Sequence, residues 1–176
     1  MLKQFPLVFF VLLGCYVGVN SHPQPLKHLS NELEVHAPAS EVWEVYRNLG
    51  VLKLAAQKNI IQSLTVLKGD GGVGTVVKVT SLSGNESYTE KFTVINDQKR
   101  MKVAQGLKGD CLAIGCSVQI IQFDIIQKSQ NSSIIKSDIA YAVKKGFEAK
   151  NPKPNIQFVE ALAQLVKNFL ENKNNA

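Results

Sequence analysis

Apolar and polar residues alternate with a period of two along most of the chain between residues 26 and 143. Short alternating segments bounded by Gly, Asn and Asp turns are typical of antiparallel strands joined in a meander. Seven such segments are predicted as strands: residues 26–36, 61–67, 75–81, 88–95, 100–107, 114–126 and 133–143. Polar turns at residues 69–74, 83–85, 96–97, 108–110 and 128–131 separate the last six of them.

Three other segments have the period of a helix. One helix is predicted to begin at residues 38–41, with Ser40 as its N-cap, and a second short helix covers residues 51–58. Asn155 is a candidate N-cap for a long amphipathic helix near the C-terminus. The apolar face of this helix contains Ile156, Val159, Leu162, Ala163, Val166, Phe169 and Leu170.

A set of strands followed by one long helix is typical of the α+β class. We expect a curved seven-stranded antiparallel sheet wrapped around the C-terminal helix, with two short helices, in a helix-grip arrangement. A strongly curved sheet cannot contact a straight helix everywhere, so a hydrophobic cavity is expected between them. Cavities of this kind hold small, mostly apolar ligands through a few polar contacts.

The N-terminus has the layout of a secretory signal peptide. Lys3 precedes an apolar run over residues 5–19, and small or polar residues follow at Asn20 and Ser21. The run is shorter than the roughly 20 residues that a membrane span needs, although an uncleaved anchor is the alternative. We therefore predict a signal peptide over residues 1–21 and one domain over residues 22–176. The predicted destination is the endoplasmic reticulum, the vacuole or the exterior, and no stable span is expected in the mature form.

Charge and cysteine content narrow the classes of partner. The net charge is +6, but the lysines are scattered without a basic stripe that alternates with aromatic residues, so nucleic acid is not a predicted partner.

Cys111 and Cys116 lack the spacing and neighbours of a zinc site, so no metal is predicted. A disulfide and two free thiols are both open for this pair. Asn85 and Asn131 begin glycosylation sequons in predicted turns.

Several segments resemble the birch-pollen-allergen, or pathogenesis-related class 10, superfamily. They are Glu-Leu-Glu-Val at residues 32–35, Ala-Ser-Glu-Val-Trp-Glu-Val-Tyr at 39–46, Gly-Asp-Gly-Gly-Val-Gly-Thr at 69–75 and Tyr-Thr-Glu-Lys-Phe at 88–92. The resemblance runs from about residue 26 to the end. Within the superfamily the chain is most similar to the norcoclaurine synthase branch, which implies a Pictet–Spengler condensation of dopamine with 4-hydroxyphenylacetaldehyde.

The resemblance also implies a set of site residues. Tyr88, Glu90 and Lys102 match catalytic positions of the branch, and Phe92 follows Glu90 on the same strand face. A buried lysine exchanges protons near neutral pH, a carboxylate in an apolar pocket is a suitable general base, and a tyrosine can orient a substrate hydroxyl. The alternative is that Lys102 and the Tyr88/Glu90 pair face solvent on the outer side of the sheet, as most lysines do.

One position departs from the pattern of the branch. A count without gaps places Ile121 where the synthases carry a catalytic aspartate. Asp124 lies three residues further along the strand and therefore faces the opposite side of the sheet. Phe92 and Ile121 are predicted as ligand-contacting walls of the cavity, and the alternative for Phe92 is a position in the core.

These features lead to one functional hypothesis and one alternative. The hypothesis is an enzyme that condenses an amine with an aldehyde and needs no cofactor, since the iminium ion is itself the electrophile. The alternative is a non-catalytic carrier or sensor of a small hydrophobic metabolite or hormone, which the apolar Ile121 favours. A defence nuclease is disfavoured, because the chain has no pair of histidines or acidic metal cluster suited to phosphodiester hydrolysis. A homodimer is left open.

Overall fold

The computed structural model describes residues 24–174, so the predicted signal peptide lies outside the described residues. Its strands are β1 (Lys27–Val35), β2 (Ile61–Lys68), β3 (Val76–Ser81), β4 (Ser87–Asn96), β5 (Met101–Lys108), β6 (Cys116–Ser129) and β7 (Ser132–Val143). Its α-helices are α1 (Ala39–Tyr46), α2 (Gly50–Gln57), α3 (Asp110–Ile114) and α4 (Ile156–Asn174), and a 3₁₀ turn covers Glu148–Lys150.

The seven strands form one antiparallel sheet in the order β1-β7-β6-β5-β4-β3-β2. Strands β2 to β7 are a meander, and β1 pairs with β7 at the edge. The sheet and the long C-terminal helix confirm the predicted α+β fold. The expectation of two short helices was incomplete, because α3 is a third.

Alternation along β6 decides which side chains face the interior. Ile121, Phe123 and Ile125 are buried on the concave face. Gln122 and Asp124 lie on the other face, where the Gln122 amide donates to the Asp124 carboxylate at 2.8 Å. Asp124 is thus directed away from the interior, as its spacing from Ile121 predicted.

A bulge at Thr93 changes the phase of β4. Phe92 pairs with Ala104 and Val94 pairs with Val103, so Thr93 has no opposite residue on β5. Residues 88, 90 and 92 face inward before the bulge, and Ile95 packs against the core after it. This shift places Ile95 opposite Lys102, and both side chains are directed to the interior.

The helices cover the concave face of the sheet. Helix α4 buries Val159, Leu162, Ala163, Val166 and Leu170 against the core. Phe169 was predicted on this face but is 41% exposed, because it lies at the edge of the apolar stripe. Asn155 accepts a hydrogen bond from the Phe158 amide at 3.3 Å and so caps α4 as predicted.

Two predictions of where an element begins were wrong, one for a helix and one for a strand. Helix α1 begins at Ala39 with Pro38 as its N-cap residue, and no side chain caps it, so Ser40 lies inside the first turn. Residues 110–114 form α3, and the following strand begins at Cys116 instead of Ile114. A left-handed Gly109 (φ +82°) starts this excursion, and any side chain there would collide with the backbone of Ser87 and Tyr88.

The structure joins Cys111 and Cys116 in a disulfide across α3. Both residues are fully buried, together with Tyr141 and Val143, in a small apolar cluster apart from the main core. The open question between a disulfide and free thiols is answered in favour of the disulfide. Between residues 24 and 174, no helix is long and apolar enough to cross a membrane.

Candidate active site

The predicted site residues come from three neighbouring strands. Tyr88 and Glu90 extend inward from β4, Lys102 from β5 and Ile121 from β6. The alternative in which Lys102 and Glu90 face solvent is excluded, because Lys102 is 2% exposed and Glu90 is 6% exposed. Two opposite charges are therefore buried under α2 and α4, where the protein must provide the stabilisation that water would supply.

Lys102 is held by the C-terminal end of α1. Its ammonium donates to the carbonyl oxygens of Tyr46 at 3.2 Å and Asn48 at 2.6 Å. Carbonyls at a helix C-terminus lack partners within the helix and carry partial negative charge, so they stabilise a cation. The Nζ atom also lies 3.6 Å from the centroid of the Phe92 ring, which is a cation–π contact.

Burial sets the proton affinity of both charged groups. It lowers the pKa of Lys102 from 10.5 to about 8, while the negative charge of Glu90 opposes this change. It raises the pKa of Glu90 from 4.5 to about 7, while the positive charge of Lys102 opposes this change. Both groups therefore titrate close to neutral pH, which is the condition for efficient proton transfer in either direction.

Tyr88 lies at the outer side of this pair. It is half-buried, and its ring packs edge-on against Phe158 of α4 with the ring centroids 5.7 Å apart. Burial raises the pKa of Tyr88 well above 10, and the carboxylates of Glu90 and Asp110 add to this effect. The phenol therefore stays protonated at neutral pH and can donate a hydrogen bond to a substrate oxygen.

Tyr88 lines two separate spaces, an outer cavity and an inner one. The outer cavity, with a volume of about 1110 Å³, opens to solvent between the β3–β4 turn, α3 and the start of α4. The inner space beside Glu90 and Lys102 has a volume of only about 10 Å³, which is room for one water molecule at most. The residues that line both are Tyr88, Ile121, Phe158 and Val159.

Phe92 and Ile121 occupy different positions relative to these spaces. Ile121 lines both the outer cavity and the inner space, so it is placed where a ligand would contact it. Phe92 is fully buried beneath the Lys102 ammonium and lines neither space. The Phe92 ring stabilises the Lys102 ammonium through the cation–π contact. A contact between Phe92 and a ligand remains a prediction.

Sequence reasoning missed Phe158. The residue lies one turn before Leu162, so the helical period predicts its position on the inner face of α4. The sequence pattern does not predict its contact with Tyr88, because the two residues are 70 positions apart and are brought together only by the packing of α4 on β4.

Asp110 connects α3 to the wall of the site. One carboxylate oxygen accepts a hydrogen bond from the Asn155 amide at 3.2 Å, and the other accepts one from the Gln119 side chain at 2.7 Å. The disulfide-closed segment is thereby joined to the N-terminus of α4, three residues before Phe158. Within the described part of the chain, no three His, Cys, Asp or Glu side chains are grouped as a metal site.

Proteins similar to this chain in sequence include several synthases. Norbelladine synthase of Narcissus pseudonarcissus is 40% identical over 120 residues, which are 65% of this chain and 74% of that protein. S-norcoclaurine synthase 2 of Papaver somniferum is 31% identical over 161 residues, 88% of this chain and 70% of that protein.

Solved structures agree with these relatives. Norcoclaurine synthase from Thalictrum flavum in complex with dopamine and hydroxybenzaldehyde superposes with a TM-score of 0.76 at 26% identity, covering 97% of each chain. A point mutant of that enzyme with a transition-state analogue gives a TM-score of 0.75 at 30% identity, covering 85% of this chain and 98% of the mutant. Residues 26–173 match the pathogenesis-related protein Bet v 1 family, and the chain belongs to that family.

Proposed function

We propose that this protein catalyses a norcoclaurine-synthase-like Pictet–Spengler condensation of dopamine with 4-hydroxyphenylacetaldehyde or a related aldehyde. The observation that carries the proposal is the buried pair of Glu90 and Lys102, whose pKa values lie near 7 and 8, beside a cavity large enough for two aromatic substrates. A carrier has no need of two buried charges, which cost stability. The synthase relatives also favour catalysis over the carrier alternative.

The first stage is formation of the iminium ion. The amine nitrogen adds to the aldehyde carbon to give a carbinolamine, and loss of its hydroxyl group as water requires a proton. Lys102 supplies this proton from its ammonium group, which is stable because two backbone carbonyls and the Phe92 ring solvate it. The resulting iminium ion is the electrophile for ring closure, so the reaction requires no cofactor.

The second stage is ring closure. The electron-rich catechol carbon attacks the iminium carbon, and a new carbon–carbon bond forms. The ring then regains aromaticity by losing a proton, which the Glu90 carboxylate accepts. Tyr88 orients the substrate by donating a hydrogen bond from its neutral phenol to a substrate oxygen. Because Ile121 has no ionisable group, Glu90 and Lys102 carry the proton transfers in this site.

Enantiomeric excess distinguishes catalysis from the spontaneous reaction, which gives a racemate. Purified protein would be incubated with dopamine and 4-hydroxyphenylacetaldehyde, and the product would be separated by chiral chromatography. We expect one enantiomer in excess, and loss of that excess in Glu90→Gln and Lys102→Met. Lys91→Met is the matched control, because Lys91 is an exposed lysine next to Glu90 on the same strand. A racemate formed at the background rate with every amine and aldehyde tested would reject the proposal.

We also propose that the chain enters the secretory pathway through cleavage after residue 21. The Cys111–Cys116 disulfide supports this proposal, since such bonds persist in oxidising compartments. Mass spectrometry of the protein recovered from plant cells would test it: a mature N-terminus at residue 22 is expected, and a cytosolic full-length chain would contradict it.

A further inference from the structure

The inner space beside Glu90 and Lys102 is not continuous with the outer cavity. The outer cavity could hold two aromatic molecules, but the inner space beside the pair has room for one water molecule at most. Tyr88, Ile121, Phe158 and Val159 separate the two spaces and line both. A substrate in the outer cavity therefore cannot reach the two charged groups until one member of this partition moves.

Phe158 is the member of the partition that is least restrained. Tyr88 and Ile121 are on β4 and β6, each of which pairs with a neighbouring strand on both sides. Val159 is 1% exposed and packed in the main core. Phe158 is half-buried and lies at the start of α4, so its side chain is less enclosed than that of Val159 in the next position.

We propose that Phe158 is a specificity-determining residue that closes the site against Tyr88 and is displaced by the aromatic ring of the incoming aldehyde. This inference rests on the proposed function. The edge-on contact between Tyr88 and Phe158, at 5.7 Å between centroids, is the type of contact that a substrate ring can replace with little loss, because one aromatic pair substitutes for another. The space released by Phe158 then sets the size of the aldehyde that reaches Lys102.

The position of Phe158 has structural support from outside the site. Its amide donates to Asn155, and the amide of Asn155 donates to Asp110 of the disulfide-closed α3 segment. These contacts hold the backbone of the first turn of α4, so the proposed displacement of Phe158 is a change of its side-chain rotamer. The gate is therefore the Phe158 side chain, and α4 does not have to move.

Two consequences separate this role from ordinary core packing. If the ring limits aldehyde size, Phe158→Ala should accept bulkier aldehydes, such as one with a naphthyl ring. If the ring excludes water, its removal should hydrate the inner space, whose titratable groups are Tyr88, Glu90 and Lys102. Hydration stabilises the ionised carboxylate, so Glu90 should titrate at lower pH in the variant.

The first experiment measures kcat and KM for 4-hydroxyphenylacetaldehyde and for a naphthyl aldehyde. We expect Phe158→Ala to raise kcat/KM for the naphthyl aldehyde relative to the smaller one by about tenfold or more. Phe158→Leu, which keeps most of the apolar volume, should change the ratio less and serves if the alanine variant fails to fold. Phe169→Ala on the exposed side of α4 is the matched control, for which no change is expected. An unchanged ratio in both Phe158 variants would overturn the proposal.

The second experiment does not depend on turnover. Carbon-13 NMR of a carboxyl-labelled protein would follow the titration of Glu90 in the parent, in Phe158→Ala and in Phe169→Ala. A shift of the Glu90 midpoint to lower pH by about half a pH unit or more, in Phe158→Ala alone, is expected. An unchanged midpoint would show that Phe158 does not close the inner space. If the parent condenses no amine with any aldehyde, the proposed function fails while this titration still decides whether Phe158 is a gate.

Discussion

Replacing Glu90 with glutamine should flatten the dependence of stability on pH, because it removes a carboxylate that the fold holds in a buried position. Glu90 is 6% exposed, and burial raises its pKa from 4.5 to about 7 in the folded protein. Between these values the folded state binds a proton that the unfolded state has released. The free energy of unfolding must therefore fall as pH rises through this range.

The magnitude follows from the two pKa values. The full difference corresponds to about 3 kcal/mol, and about 2 kcal/mol of it is lost between about pH 5 and pH 7. In the parent, Lys102 adds little slope in this range, because its ammonium is charged in both states until the pH approaches about 8. In Glu90→Gln the pKa of Lys102 falls further, because the Glu90 charge no longer raises it, and the resulting rise of stability with pH only widens the difference between the two proteins. Glu34 and Glu171 have lowered pKa values, through Lys128 and His36 respectively, so their effects fall at lower pH.

Urea denaturation at several pH values from about 5 to 7 would measure the effect. We expect the parent to lose about 2 kcal/mol more than Glu90→Gln over this range. Glu86→Gln, which changes an exposed carboxylate, is the control and should follow the parent. Curves of unfolding free energy against pH that run parallel for the parent and Glu90→Gln would refute the claim that burial perturbs this group.

Three further predictions concern the same residues and the disulfide. The rate of condensation should depend on pH as a bell, rising as Glu90 ionises near 7 and falling as Lys102 loses its proton near 8; a rate that stays high well above pH 9 would contradict the role of Lys102. Ile121→Asp should raise the pKa of Lys102, so steady-state kinetics should show the falling limb of the pH profile at higher pH. Burial of a second carboxylate should also lower the free energy of unfolding of this variant, which urea denaturation would measure. Replacing Cys111 and Cys116 together with alanine should lower the free energy of unfolding by about 2 kcal/mol, and a reductant should affect the parent alone.

The architecture was largely predictable because its signals are local. Alternation with a period of two identified every strand of the sheet, and the helical period identified α4 with its Asn155 cap. Parity along one strand also predicted that Tyr88 and Glu90 share a face and that Asp124 faces away from Ile121. The type of each element and the residues that share a strand face depend only on near neighbours in sequence, so they are the same in almost any packing of the elements.

Local signals were insufficient where the backbone departs from regular geometry. Helix α3 depends on the left-handed conformation of Gly109 at a close approach to β4, which a run of alternating residues does not indicate. Helix α1 begins at Ala39 with Pro38 in the N-cap position, one residue before the predicted Ser40 cap. The bulge at Thr93 shifted the phase of β4, so parity counted across it would place Ile95 on the wrong face.

Sequence alone therefore determined the order of the elements, which candidate residues share a strand face and the resemblance that pointed to Glu90 and Lys102, whereas burial in the structure decided that this face is the inner one. Tertiary structure alone decided the chemistry of that pair. The carbonyls that hold the Lys102 ammonium come from residues more than 50 positions earlier, and the ring that closes the site against Tyr88 comes from α4, 70 positions later. Burial, partial charge and exclusion of water depend on distances between such remote segments, which packing of the whole chain establishes and periodicity does not encode.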